Sequence, residues 1–260
     1  TCALPISRLL GQGSHINGVA FDHQGVPREV RARGEVILSA GAVQSPQLLM
    51  LSGIGPHAHL QAHGIKTLLD LPGVGQNLQD HPDFVFGYMS DNPNFNGISI
   101  KAMPRLLRAI RQYRRERTGP MTSNFAECGG FLKTRPELET PDVQMHLVPY
   151  SIKDPKTRKL QDFPSMTIAC YQLRPESLGS IHIRSADPKA HPAIRFNFLA
   201  DRIDQDAMTA GFRMMRRIVD AKPMDAYRDE EFSPGPSVQT DEEILTWIRN
   251  NSQTAYHPIG

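Results

Sequence analysis

Ten histidines are the side chains of this 260-residue sequence whose charge changes near neutral pH, and so the ones suited to take a proton in a reaction. Three of them, His81, His191 and His257, stand directly before proline, so the His-Pro pair alone singles out none. A following proline biases the residue before it toward extended backbone, which at His257 helps to fix the direction of the imidazole. His57, His59 and His63 form a second group, the last two spaced like a metal pair on an expected helix. No acidic residue or cysteine stands close by, so no metal is expected and a solvated helix face accounts for them. The three cysteines, Cys2, Cys128 and Cys170, are far apart and form no CxxC, which speaks against a disulfide framework and a zinc site.

The elements that must position such groups are clearest between Gly41 and Gly55, GAVQSPQLLMLSGIG. Ahead of this stretch, Glu35–Ala40 reads as a short buried strand, a brief apolar run with β-branched residues bounded by Gly34 and Gly41. Ser45 is expected as an N-cap, Pro46 at the first helical position and Leu48–Leu51 as the helix body, with Gly53 ending it. A strand passing through small residues into a helix N-terminus is how nucleotide-binding folds bring backbone close to a cofactor.

Four stretches together resemble one family, the glucose–methanol–choline (GMC) oxidoreductases, flavoproteins that oxidise alcohols with FAD. Residues 41–55 resemble its second signature, and Leu71–His81, LPGVGQNLQDH, resembles the segment with which the family leaves its FAD domain. Arg174–Ile181 resembles the start of its C-terminal homology region, and Asn250–Gly260, NNSQTAYHPIG, the run around its catalytic histidine. The likeness covers essentially the whole chain in order. The family's GxGxxG loop is absent: the GxG triplets at Gly11, Gly53 and Gly73 are followed by Ile16, Ala58 and Leu78 where a third glycine belongs. The sequence begins at Thr1 without Met or a signal-peptide pattern and stops at Gly260, and is read as an internal piece of roughly half such a protein.

The expected fold is mixed α/β and α+β: part of a Rossmann-like FAD-binding domain over residues 1–82, an antiparallel-sheet substrate domain with helices on one side over 83–250, and a return segment, 251–260, carrying the catalytic histidine. Pro5–Leu10, Ile16–Phe21 and Glu29–Ala32 suggest a β-meander with turns at Gly11–Ser14 and Gln24–Gly25. The Asn, Asp, Pro and Phe content of Ser90–Gly97 marks a loop. Gly129–Leu132, Asp142–Val148, Ser165–Tyr171 and Ser180–Ile183 read as strands of the second domain, Asp204–Ala221 and Asp241–Asn250 as helices, the latter opened by a Thr240/Glu243 capping box. Phe84, Phe86 and Tyr88 alternate along one strand face, as core or as a cavity wall. Met103–Thr118 reads as a helix with a narrow apolar stripe and six arginines between 103 and 117, a solvated face or one suited to an anionic surface such as a membrane.

Composition bounds the function. A formal charge of +2 is too near neutral to argue for nucleic acid, and no run of about 18 apolar residues is present to span a membrane. The expected location is cytoplasmic or peripherally membrane-associated. The resemblance implies an FAD-dependent alcohol dehydrogenase or oxidase, choline dehydrogenase-like or acceptor-linked alcohol dehydrogenase-like, acting on the CH–OH group of choline or an aliphatic or aryl alcohol. Hydride would pass to flavin N5 with His257 as general base, and the electron acceptor, quinone or oxygen, stays open. It further implies that Ile6, Ala40, Gly41 and Tyr256 lie by the FAD, and that Glu127 lies on the substrate side, where a carboxylate stabilises a quaternary cation. The isolated piece is expected to bind FAD poorly and turn nothing over. A hydroxynitrile lyase branch of the family and a non-catalytic fragment are the alternatives.

Overall fold

A computed structural model describes residues 6–13, 15–92, 103–124, 126, 128–154, 159–161 and 163–260. Cys2, Ser14, Glu127 and the loop positions 93–97 lie outside the described residues. The chain divides into two compact units, Thr1–Asp80 with Ser177–Ala200 and Tyr256–Gly260, and His81–Glu176 with Asp201–Ala255.

In the first unit, strands Ile6–Gln12, His15–His23 and Val26–Arg31 form an antiparallel meander in chain order. Its second turn, at Gln24 and Gly25, is closed by the Asp22 carboxylate, which accepts the Gly25 N–H at 2.7 Å. Helix α1, Gly41–Leu51, buries Leu48 and Met50, and helix α2, His57–Ala62, buries Leu60. Met50, Leu60, Val74 and Ile183 pack into one apolar cluster. The Ser52 hydroxyl joins α1 to the meander: it accepts the Leu9 N–H at 2.8 Å and donates to the Leu48 carbonyl at 2.6 Å. A second antiparallel sheet sets Gly179–His182 between Gln76–Leu78 and Ala193–Arg195.

Three local expectations are corrected here. Glu35–Ala40 is irregular rather than a buried strand, and Ile37 is 78% exposed. An apolar run becomes a strand only where neighbours take up its main-chain groups, and among the described residues none does. Helix α1 begins at Gly41, not after Ser45; Ala40 is its N-cap and Pro46 lies inside it. Gly41, with φ of +82°, makes the turn into the helix early, and the Ser45 hydroxyl then accepts the Ala40 N–H at 3.2 Å. Ser180–Ile183 pairs within the first unit and not with the strands of the second, so the second unit is interrupted where the sequence reading runs continuously from 83 to 250.

The second unit is a six-stranded antiparallel sheet in the order Glu231–Ser233, Pro82–Met89, Ser165–Gln172, Val143–Val148 and Cys128–Leu132, with Gln253–Thr254 also paired to Pro82–Met89. Period-two alternation sends Phe84, Phe86 and Tyr88 to one face. There helices α4, Arg202–Val219, and α5, Asp241–Asn251, supply Phe212 and Trp247, whose ring centroids lie 4.6 and 6.2 Å from that of Phe86. Phe84, Phe86 and Tyr88 are thus core. The Thr240/Glu243 capping box opens α5, and Asp201 caps α4 through the Ile203 N–H at 2.8 Å. Helix α3, Met103–Glu116, completes the described helices and has no buried residue.

Asp83 alternates to the other face of the strand and is 5% exposed. Among the described residues its Oδ1 has no hydrogen-bond partner, and its Oδ2 receives only the Gln253 side-chain amide, at 3.4 Å. Burial pushes this carboxyl up from 3.8 to about 7. The folded chain therefore binds a proton that the unfolded chain releases, and this contribution is present at low pH and lost as pH rises toward 7. Urea unfolding is expected to show a loss of about 2–4 kcal/mol between pH 4 and pH 8 that Asp83→Asn removes, leaving the variant more stable than the parent at pH 8.

Candidate cofactor and proton-transfer site

In the first unit, the start of α1 opens into a cavity of about 650 Å³. Gly41, Ala42 and Ser45 form one wall, Gly73–Gln76 and Ile181 another, and Pro258, Ile259 and Gly260 a third. Leu49, Val74 and Leu78 make much of the lining apolar. The first turn of α1 has neither a side-chain cap nor an acidic residue. The first N–H groups of a helix have no partner within it, and with the positive end of the helix dipole they favour an electron-rich or anionic group in the cavity. Gly75 is required by geometry: at φ of +80°, a Cβ would stand 2.1 Å from the Ile181 carbonyl oxygen.

The segment that carries His257 is fastened at two points. Gln79 and Ile259 exchange main-chain hydrogen bonds at 2.8 and 2.9 Å. The Asp80 carboxylate, 3% exposed, accepts the backbone N–H of His257 at 3.0 Å. His257 itself is exposed, and Tyr256 before it takes a left-handed backbone with φ of 63° and is 80% exposed. The fold thus holds the main chain at 257 by a buried charge while the imidazole stays accessible. It brings Gly41 and the residues following His257 to one cavity. Ala40 sits beside it as the helix N-cap, whereas Ile6, at the start of the meander, does not line it. Glu127 falls outside the described residues.

Asp80 and the Gly73–Gln76 wall are the parts that residue types alone left without a role. Their signal is LPGVGQNLQDH, where paired glycines precede a carboxylate and a histidine, but only tertiary pairing shows what they hold. The three neighbouring histidines behave differently from a solvated row: the His59 ring lies edge-on to His63 and His182, with centroids 4.8 and 4.9 Å away. Burial, aided by the charges of His182 and His63, lowers the His59 pKa. Among the described residues no His, Cys, Asp and Glu group is arranged to hold a metal ion.

This architecture is that of a known enzyme class. Family models described as GMC oxidoreductase match residues 4–83 and 175–260. The chain belongs to the GMC oxidoreductase family. It is 41% identical over 245 residues to an alcohol dehydrogenase [acceptor] of Pseudomonas putida, covering 94% of this chain and 44% of that protein. It is 38% identical over 252 residues to an oxygen-dependent choline dehydrogenase of Rhizobium rhizogenes, covering 96% of this chain and 45% of that one. A solved formate oxidase of Aspergillus oryzae superposes with a TM-score of 0.85 at 27% identity, over 99% of this chain and 50% of that one. The chain thus spans about half the length of the relatives it matches.

Removing the Asp80 carboxylate leaves the His257 N–H without its acceptor, a loss of about 1–3 kcal/mol locally. In Asp80→Ala, amide hydrogen exchange over residues 255–260 is expected to speed up about tenfold or more. Unchanged protection there would show that the carboxylate does not hold the segment.

Proposed function

We propose that this chain forms part of an FAD-dependent oxidoreductase that acts on the CH–OH group of a small alcohol, with His257 as the general base. The observation that carries the reading is the convergence of the uncapped α1 N-terminus and the His257 segment on one cavity. Its volume, largely apolar wall and amide donors suit part of a flavin dinucleotide. Gly41 and the first turn of α1 would hold that group, with Ala40 and Tyr256 beside it and Ile6 at its adenine end. When bound, FAD supplies the two-electron acceptor for the alcohol carbon.

The protein's own task is to receive the hydroxyl proton. An imidazole does this near neutral pH because its proton affinity lies near that of the medium. Asp80 and the Gln79–Ile259 pair fix the backbone from which that imidazole projects, and Pro258 restricts the residue before it. Glu127 is assigned to the substrate side, where its charge would favour a cationic alcohol. The names of the relatives, alcohol and choline dehydrogenase, support an alcohol as the substrate class. Quinone or oxygen is the electron acceptor in this reading. Among the described residues no helix is long and apolar enough to cross a membrane.

The test uses the protein at full family length, mixed anaerobically with choline, alkanols and aryl alcohols while the flavin absorbance is followed. One substrate class is expected to bleach it, and His257→Ala to slow bleaching about 10²–10⁴-fold with flavin content retained. A bound flavin that none of these alcohols bleaches would overturn the reaction, and bleaching unaffected by His257→Ala would overturn the base.

A further inference from the structure

Helix α3 carries both exposed apolar side chains and a concentrated positive charge. Met103, Leu106 and Leu107 recur at helical spacing on one face and are 52%, 47% and 60% exposed. Met121, in the turn Pro120–Thr122 on which α3 rests, is 41% exposed. The inner part of the helix is better covered: Ile110, Gln112 and Tyr113 are half-buried, and Arg117 lies over the Tyr113 ring at 5.2 Å. Leucines and methionines so exposed, grouped and rimmed by polar residues mark a binding surface more often than chance.

The charge says what kind of surface. Between Met103 and Arg117 stand six arginines, Arg105, Arg108, Arg111, Arg114, Arg115 and Arg117, against one acid, Glu116. That run carries +5 while the whole chain carries +2, so the remainder is slightly acidic. Arg108, Arg111 and Arg115 flank the helix opposite its apolar stripe by the same spacing argument. A polyanion such as nucleic acid would meet the arginines but leave the leucines in water. An anionic bilayer takes both: lipid phosphates meet the guanidinium groups while Leu and Met enter the acyl boundary. We infer that α3 docks this protein on an anionic phospholipid surface. The stripe holds no Trp or Phe, so attachment is shallow and depends on charge. This inference is independent of the reaction proposed above, because none of its residues belongs to that site.

The test is flotation of the intact chain with vesicles of phosphatidylcholine alone and of phosphatidylcholine with phosphatidylglycerol. The anionic vesicles are expected to carry on the order of tenfold more protein, an excess that salt removes. A variant with Arg108→Glu, Arg111→Glu and Arg115→Glu is expected to fall to the neutral-vesicle level. One with Leu106→Ser and Leu107→Ser should lose several-fold at unchanged charge. Thermal melting shows that each variant folds, and a fluorophore on Leu107→Cys, in a chain that also carries Cys2→Ser and Cys128→Ser, gives a second readout by shifting to the blue on anionic vesicles. Equal binding to both vesicle types, full binding by the arginine variant, or an unshifted fluorophore would overturn the inference. So would a concentration-dependent dimer abolished by the leucine changes with no vesicle binding, which would make a second copy the occupant.

Discussion

The six residues from Gly75 to Asp80 hold two distant stretches of chain at once, and the first unit depends on that. The Gly75 carbonyl accepts the Ile181 N–H at 2.7 Å, Gln76–Leu78 pairs with Gly179–His182, Gln79 exchanges bonds with Ile259, and Asp80 receives the His257 N–H. Main-chain groups taken out of water must find such partners, so one short ladder decides where residues 177–182 and 257–260 run. Val74, immediately before the ladder, packs with Met50 of α1. The cavity walls are therefore three consequences of one constraint: a helix, a ladder and a return segment brought to a common place.

What could be read from the residues is what local chemistry decides. The capping box at Thr240 and Glu243, the alternation of Phe84, Phe86 and Tyr88, the meander and the arginine-rich helix each depend on neighbours a few positions away, and each stands as expected. The misreadings share a different origin. Glu35–Ala40 has the composition of a strand but no paired neighbour among the described residues; Ser45 has cap chemistry, yet Gly41 turns the chain first. Ser180–Ile183 alternates like a sheet strand, but its partners at Gln76–Leu78 lie more than a hundred positions away in sequence, which periodicity does not reveal. The site divides the same way. His257 is singled out only by the string around it, whereas the hydrogen bond from its N–H to Asp80 exists only once the return segment is in place.

The second unit shows how differently burial treats charges that are partnered and one that is not. Asp204, fully buried, accepts the Gln172 side-chain amide at 2.6 Å and the Glu176 N–H at 2.9 Å. Arg216 forms a two-pronged pair with Glu231 at 2.7 and 3.0 Å, and its guanidinium lies 4.7 Å from the centre of the Phe212 ring. These groups tie the sheet edge and the chain turns to the helices while their hydrogen-bonding capacity is met. Asp83 has one weak partner, and its environment answers by favouring the protonated form. The adjoining groups respond alike: burial, reinforced by the charge of Asp83, pushes the Tyr171 hydroxyl up to about 12 and the Cys170 thiol well above its usual range. Cys170 is thereby an inert core thiol, since the thiolate is the reactive form.

In the candidate site the division of labour runs between backbone and side chain. The donors at the start of α1, the Gly75 approach to Ile181 and the Gln79–Ile259 exchange are all main-chain features. They constrain residue type only through what a side chain would obstruct, which is why small residues recur along these walls. Beyond the main chain, the Asp80 carboxylate adds a side-chain contribution by accepting the backbone N–H of His257. A residue held through its own amide keeps its main-chain position by a bond that does not use its side chain.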